Sequence, residues 1–129
     1  MADLIDEVIN YLVARGIATQ QGVDIFRGYI PDGATGTVMA VIDTGGTAPD
    51  VDLPVENPTF QVYIKADTYD AGLNLKHAVK SALHQYRGRV LGTGTVFFHF
   101  IYAISNGGHV GRDERGQDVF SINYQAKTH

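Results

Sequence analysis

No cysteine occurs anywhere in the 129 residues, which excludes a disulfide framework and every thiolate metal site and fits intracellular synthesis. No apolar run approaches the ~20 residues that span a bilayer, so no membrane partner is expected. The start, Met1-Ala2-Asp3-Leu4-Ile5-Asp6-Glu7, lacks the basic region of a secretory signal. Positive charge is scarce enough to leave a formal net charge of −4. That argues against a protein that reads nucleic acid with a basic face, but not against a surface that DNA merely passes. No internal repeat of about 20–50 residues is visible. What is there is ordinary for a globular chain, 44% hydrophobic and 19% charged. One domain over residues 1–129 is expected, long enough to bury roughly two-thirds of its unfolded surface.

Hydrophobic spacing organises the chain. Leu4, Ile5, Val8, Ile9 and Leu12 form one stripe of a helix over 3–15, with Asp3 as N-cap, Asp6 and Glu7 at its positive end, and Arg15-Gly16 as stop. A short strand is expected over 23–29 and a second, apolar on both faces and therefore central, over 37–43. Residues 44–58 hold three of the four prolines with Gly45 and Gly46 and read as a long loop. Thr59 to Ala66 alternates as a half-buried strand. A helix follows from Tyr69 to Tyr86, capped by Asp67 or Asp70 and ended by Arg87-Gly88, with Leu75, Val79, Ala82, Leu83 and Tyr86 as its buried stripe. Residues 95–126 read as a long antiparallel hairpin around a Gly-rich, charged connector at 106–117. The expected fold is α+β, a two-layer sandwich with a largely antiparallel sheet of about five strands and two helices on one face. Its order is α-β-β-β-α-β-β.

Motifs that would carry chemistry are weak. Val41-Ile42-Asp43-Thr44-Gly45 imitates the turn of a dimeric aspartic protease, with Asp43 sharing a proton with its twin. Gly46 stands where such a signature continues with Ala or Ser, and a long helix precedes the loosely matching Val90-Leu91-Gly92. A strand entering a tight Gly turn is the better reading. His77 and His84 are seven apart, about 10 Å along a helix, too far to share an ion unaided. His99 reads as a packed strand residue, His109 lies near the hairpin tip, and His129 ends the chain. Gly92-Thr93-Gly94-Thr95 lacks the lysine of a phosphate loop, and Gly107-Gly108-His109-Val110-Gly111 precedes a strand where a dinucleotide fingerprint needs a helix. No catalytic residue, cofactor or metal is assigned.

The hairpin supplies the candidate functional residues instead. Arg112, Asp113, Glu114 and Arg115 gather charge at its tip, where folding should gain little from them, so they suit contact with a partner. Phe98, Phe100, Tyr102 and Ile104 alternate onto one face of the strand, with Phe97, Ile101 and Ala103 on the other. Two helices cover only one sheet face. Apolar side chains on both faces therefore imply a second covering surface, most simply another copy of the chain.

Three segments together resemble a known family: the helix Leu4-Ile5-Asp6-Glu7-Val8-Ile9-Asn10-Tyr11-Leu12; the strand Thr59-Phe60-Gln61-Val62-Tyr63-Ile64-Lys65-Ala66 with its following helix; and Gly111-Arg112-Asp113-Glu114-Arg115-Gly116 followed by Phe120-Ser121-Ile122-Asn123-Tyr124. The pattern is similar to the small minor capsid and tail-terminator proteins of long-tailed bacteriophages. That resemblance implies a structural virion protein made in the bacterial cytoplasm, a homo-oligomer forming a hexameric ring. Its implied partners are the tail tube protein, which the ring caps, and the head connector or stopper, to which it docks. DNA would pass through the ring unread. The alternative within the same class is another head–tail joining or tail-completion protein of the neck.

Overall fold

The computed structural model describes residues 4–31, 34, 36–47, 56–84, 86–90, 96–105 and 107–128. In chain order the elements are α1 (Leu4–Ala14), β1 (Ile25–Arg27), β2 (Val38–Thr47), β3 (Asn57–Ala66), α2 (Tyr69–Leu83), β4 (Tyr86–Val90), β5 (Phe97–Ala103), β6 (Gly108–Arg112) and β7 (Asp118–Thr128). The strands form one sheet in the order β1-β2-β3-β7-β5-β4, and β6 also pairs with β7. Every pairing is antiparallel except β1 with β2. The architecture is the expected α+β sandwich, with seven strands among the described residues where the sequence suggests about five.

Both helices contribute to one core cluster on one face of the sheet. Ile5, Val8, Ile9 and Leu12 of α1 and Val79, Ala82 and Leu83 of α2 join Phe60, Val62, Ile64, Phe120, Ile122 and Tyr124. Alternation along β3 and β7 places these residues there, because every second side chain of a strand points to the same face. Asp3 lies outside the described residues. Glu7, expected at the positive end of the helix, is buried, and its two carboxylate oxygens accept the Val96 N–H at 3.0 Å each. It ties α1 to the entrance of β5, 89 residues away in the chain. Glu7→Ala leaves that amide without its acceptor and is expected to cost about 1–2 kcal/mol, read as a lower urea midpoint.

The boundaries differ from expectation at three places, each for a local reason. Strand β2 runs on through Asp43 to Thr47 and pairs with β3 as far as Asn57. The segment 44–58 is thus a strand arm at both ends, and its centre, 48–55, lies outside the described residues. Gly45 and Gly46 take positive φ, and the ladder slips between Asp43 and Gly45, so a bulge carries the strand past the expected stop. Helix α2 is capped by the Thr68 hydroxyl, which accepts the Ala71 N–H at 3.1 Å, and neither Asp67 nor Asp70 takes that role. It ends at His84, whose backbone turns extended, and Tyr86 begins β4 in place of a last helical turn. His84 also accepts the Ala103 N–H on Nδ1 at 3.0 Å, pinning the helix end to β5.

The 106–117 connector is half strand. β5 and β6 run successively along the same edge of β7: Ala103 pairs with Tyr124, Ile104 N–H reaches Asn123 O, and Gly108 pairs with Ser121. The long hairpin is real, and its tip narrows to residues 113–117. Inside the core, Tyr124 stacks on Phe60 with ring centres 5.2 Å apart, and its hydroxyl has no hydrogen-bond partner among the described residues. Burial pushes that phenol upward. Tyr124→Phe removes an unsatisfied polar atom and is expected to keep or raise the melting temperature.

Candidate assembly surface

The face of the sheet away from the helices is read from β7, whose buried Phe120, Ile122, Tyr124 and Ala126 alternate with half-buried Ser121, Asn123, Gln125 and Lys127. On β5, Phe100 pairs with Lys127 and Tyr102 with Gln125, so both belong to that second face. Phe98 does not. It pairs with Thr128, is fully buried in the core, and is separated from Phe100 by a slip of register at His99. A bulge places one extra residue in the strand, which moves everything beyond it to the opposite face. The expected row of Phe98, Phe100, Tyr102 and Ile104 therefore loses Phe98; Phe100 and Tyr102 remain, and exposed Ile104 follows them beside Asn123.

These two rings lie 5.2 Å apart, and the Tyr102 hydroxyl donates to Gln125 Oε1 at 2.9 Å. Half-buried Thr59, Gln61 and Tyr63 of β3 continue the surface, and Ile42 of β2, paired with Gln61, borders it. One end is covered by the chain itself. There Val38, Ala40 and Val119 are buried. The Gln117 amide donates to Gly36 O at 3.1 Å, and Ile30, Pro31 and Ala34 share a cleft with Lys65 and Asp113. Among the described residues, no helix lies over the remaining stretch, from Tyr63 across Asn123 to Phe100.

At the tip, two of the four charges hold the turn together. Asp113 accepts the Arg115 and Gln117 N–H groups at 2.9 Å each and pairs with Lys65 Nζ at 3.5 Å. Arg112 Nε lies 3.3 Å from Asp118 Oδ1, and His109 Nε2 lies 2.9 Å from the same oxygen. Asp118 is buried, which the sequence reading missed; the His109 ring that covers it stands edge-on to Tyr69 and Phe120. Glu114 and Arg115 are exposed, as is Arg112 while it pairs with Asp118.

The hydrogen bond from Gln117 N–H, reinforced by Arg115 N–H and Lys65, holds the Asp113 carboxyl below its ordinary value of 3.8. The His109 contact, with Arg112 behind it, does the same for Asp118. A depressed folded value gives stability that is present above the unfolded value and is lost as pH falls through the folded one. The tip should therefore be unchanged from about pH 7 to 5 and loosen below about pH 4. The Arg115 and Gln117 amide proton shifts followed by NMR check this.

Asp43 sits exposed in the β2 bulge, and its Oδ1 accepts the Gly45 N–H at 2.7 Å, which is the turn-forming role of an Asp before glycine. Among the described residues no three His, Cys, Asp or Glu side chains gather as metal ligands. His77 is exposed on α2, while His84, His99 and His109 are dispersed along the hydrogen-bonded edges described above.

Comparison with known proteins bears on this geometry. A family profile described as bacteriophage tail terminator protein matches residues 11–129. No curated protein matches the sequence. Among solved structures, a chain of the virion of a native gene transfer agent particle superposes with a TM-score of 0.70 at 15% identity, over 97% of this chain and 93% of that one. At that identity the likeness speaks for the fold.

Proposed function

The chain belongs to the bacteriophage tail terminator proteins, structural components of the virion, and from that premise we propose that it forms a ring that caps the finished tail tube. The ring stops tube growth and presents the docking surface for the head connector. The observation that carries this reading is the helix-free sheet face with Phe100 and Tyr102 on it. Aromatic side chains set among Thr59, Gln61, Asn123 and Gln125 make a surface suited to burial against a partner, since aromatics dominate the energetics of protein interfaces. A ring of identical copies needs a heterologous contact, one patch meeting a different one, and such contacts close when the rotation per copy allows it. The net charge of −4 fits a ring through which DNA passes, because few cations are present to hold phosphates.

Negative-stain images of the purified protein test the proposal, together with its addition to isolated tail tubes. Closed rings with a central hole, and tubes whose ends it blocks from elongation, are expected. A chain that stays monomeric at high concentration and leaves tube ends free to elongate overturns the reading.

A further inference from the structure

Charge is segregated along this chain, and the sheet order turns that segregation into two opposed flanks. Residues 28–64 carry five acids, of which Asp43 and Glu56 lie among the described residues, and no Lys, Arg or His. Residues 71–112 carry no acid, five Lys or Arg and four His. The first stretch supplies β2 and β3 as far as Ile64; the second supplies β4 and β5, together with α2, which packs over β7 and β3, and β6, whose Arg112 is held by Asp118. In the sheet, β2 lies toward one side and β4 is the edge of the other. The acidic side is not purely acidic, since Arg27 of β1 and Lys65 of β3 lie there, but Arg27 is paired with Asp6 and Lys65 with Asp113, each at 3.5 Å.

The pairing registers put the two flanks at the same height. Glu56, exposed on the arm, bridges to Thr128; Thr128 pairs with Phe98; and Phe98 pairs with Arg89 of β4. One row thus begins with an acid and ends with a base, about 14 Å apart at the usual strand spacing. A second row runs from exposed Asp43 through Phe60 and Tyr124 to Ala103, whose N–H is held by His84 at the end of α2. Copies standing side by side in one orientation therefore bring the acidic row ends of one against the basic row ends of the next. Two copies related by a two-fold axis would set acid on acid or base on base, which is repulsive.

We propose that the occupant of the basic β4 edge is a second copy of this chain, presenting exposed Asp43 of β2 and Glu56 at the start of β3. This deepens the ring reading and rests on it: it says which two patches meet and why the contact is head-to-tail. Coulomb attraction between such surfaces is screened by salt, over about 10 Å at 0.1 M, so the contact should weaken steeply as salt rises.

The full-length chain tests this by sedimentation across a salt series. Arg87→Glu with Arg89→Glu should raise the concentration for half-assembly at least tenfold at low salt and flatten the salt dependence. Glu56→Lys should weaken assembly too, and a chain carrying both Glu56→Lys and Arg89→Glu should regain part of what each loses. Because the chain has no cysteine, Glu56→Cys with Arg89→Cys gives a second measurement that does not depend on the charge variants folding. The two positions are too far apart to bridge within one copy, so a disulfide ladder up to a closed ring reports the proposed contact. Rings that form with no ladder and no response to charge reversal overturn the inference and leave the ring intact. So does Arg89→Cys alone joining two copies, or charge reversal that spares the ring and abolishes tube binding. A wild-type chain that never assembles overturns the ring reading and this inference with it.

Discussion

Phe98→Ala is expected to lower the unfolding free energy by about 3–5 kcal/mol, while Phe100→Ala, two residues on, costs about 1 kcal/mol. Phe98 is fully buried beneath the helices, where the deleted ring leaves a cavity that its close-packed neighbours fill only in part. Phe100 is half-buried on the helix-free face, where water can occupy the space the ring vacates. Against a typical stability of about 5–15 kcal/mol, the first loss leaves a marginal protein and the second a normal one. Assembly should respond in the opposite order. Phe100→Ala keeps a folded subunit and weakens ring formation, whereas Phe98→Ala lowers the yield of folded subunit and leaves the assembly of what does fold largely unchanged. Urea unfolding with an unchanged m-value, run beside sedimentation on the same samples, separates the two. Equal stability losses at both positions would show that the bulge at His99 does not divide the faces.

That contrast marks the limit of what strand periodicity could reveal. Alternation is legible where a strand is regular, and Phe60, Val62, Ile64 and Ala66, or Phe120, Ile122 and Tyr124, were read correctly from it. The slip at His99 leaves no trace in composition, because Phe97-Phe98-His99-Phe100-Ile101 is equally apolar in either register. The burial of Glu7 was not legible for a related reason: helix-end charge accounts for an acid in the first turn, and its partner, Val96, lies far along the chain. The Asp67 and Asp70 caps lost to Thr68 because Asp and Thr both cap helices well and only backbone direction decides among the three positions. At the tip, charge density was visible, but its use was not. Asp113 followed by Gly116 could have suggested a carboxylate folding its own turn, and Asp118 became identifiable only once β6 brought His109 and Arg112 to it.

Gly72→Ala is expected to destabilise the chain by about 2–3 kcal/mol, although the same exchange in an exposed helix stabilises by about 1 kcal/mol. Gly72 lies in the first turns of α2, buried, with an ordinary helical backbone, so no strained φ explains its presence. Space explains it. A methyl group there would overlap the Phe120 ring and stand 3.0 Å from the Ala66 Cβ. Neither neighbour can step aside: the ring is wedged among Tyr69, His109 and the core, and Ala66 is a buried residue of β3. The helix must lift from the sheet or the ring must leave its rotamer, and either outweighs the gain in helix propensity. Asn74→Ala, on the exposed side of the same helix, provides the control and should stabilise by a few tenths of a kcal/mol to about half a kcal/mol. The pair also reaches beyond stability, because α2 carries Lys76 and Lys80 and leads directly into β4. A helix that lifts at Gly72 changes the height of the basic flank against the sheet. The fraction of Gly72→Ala that stays folded should therefore assemble less well than its stability alone dictates, whereas Asn74→Ala should assemble as the parent does. Thermal unfolding ranks the stabilities, and sedimentation of folded fractions at matched concentration reads the second effect.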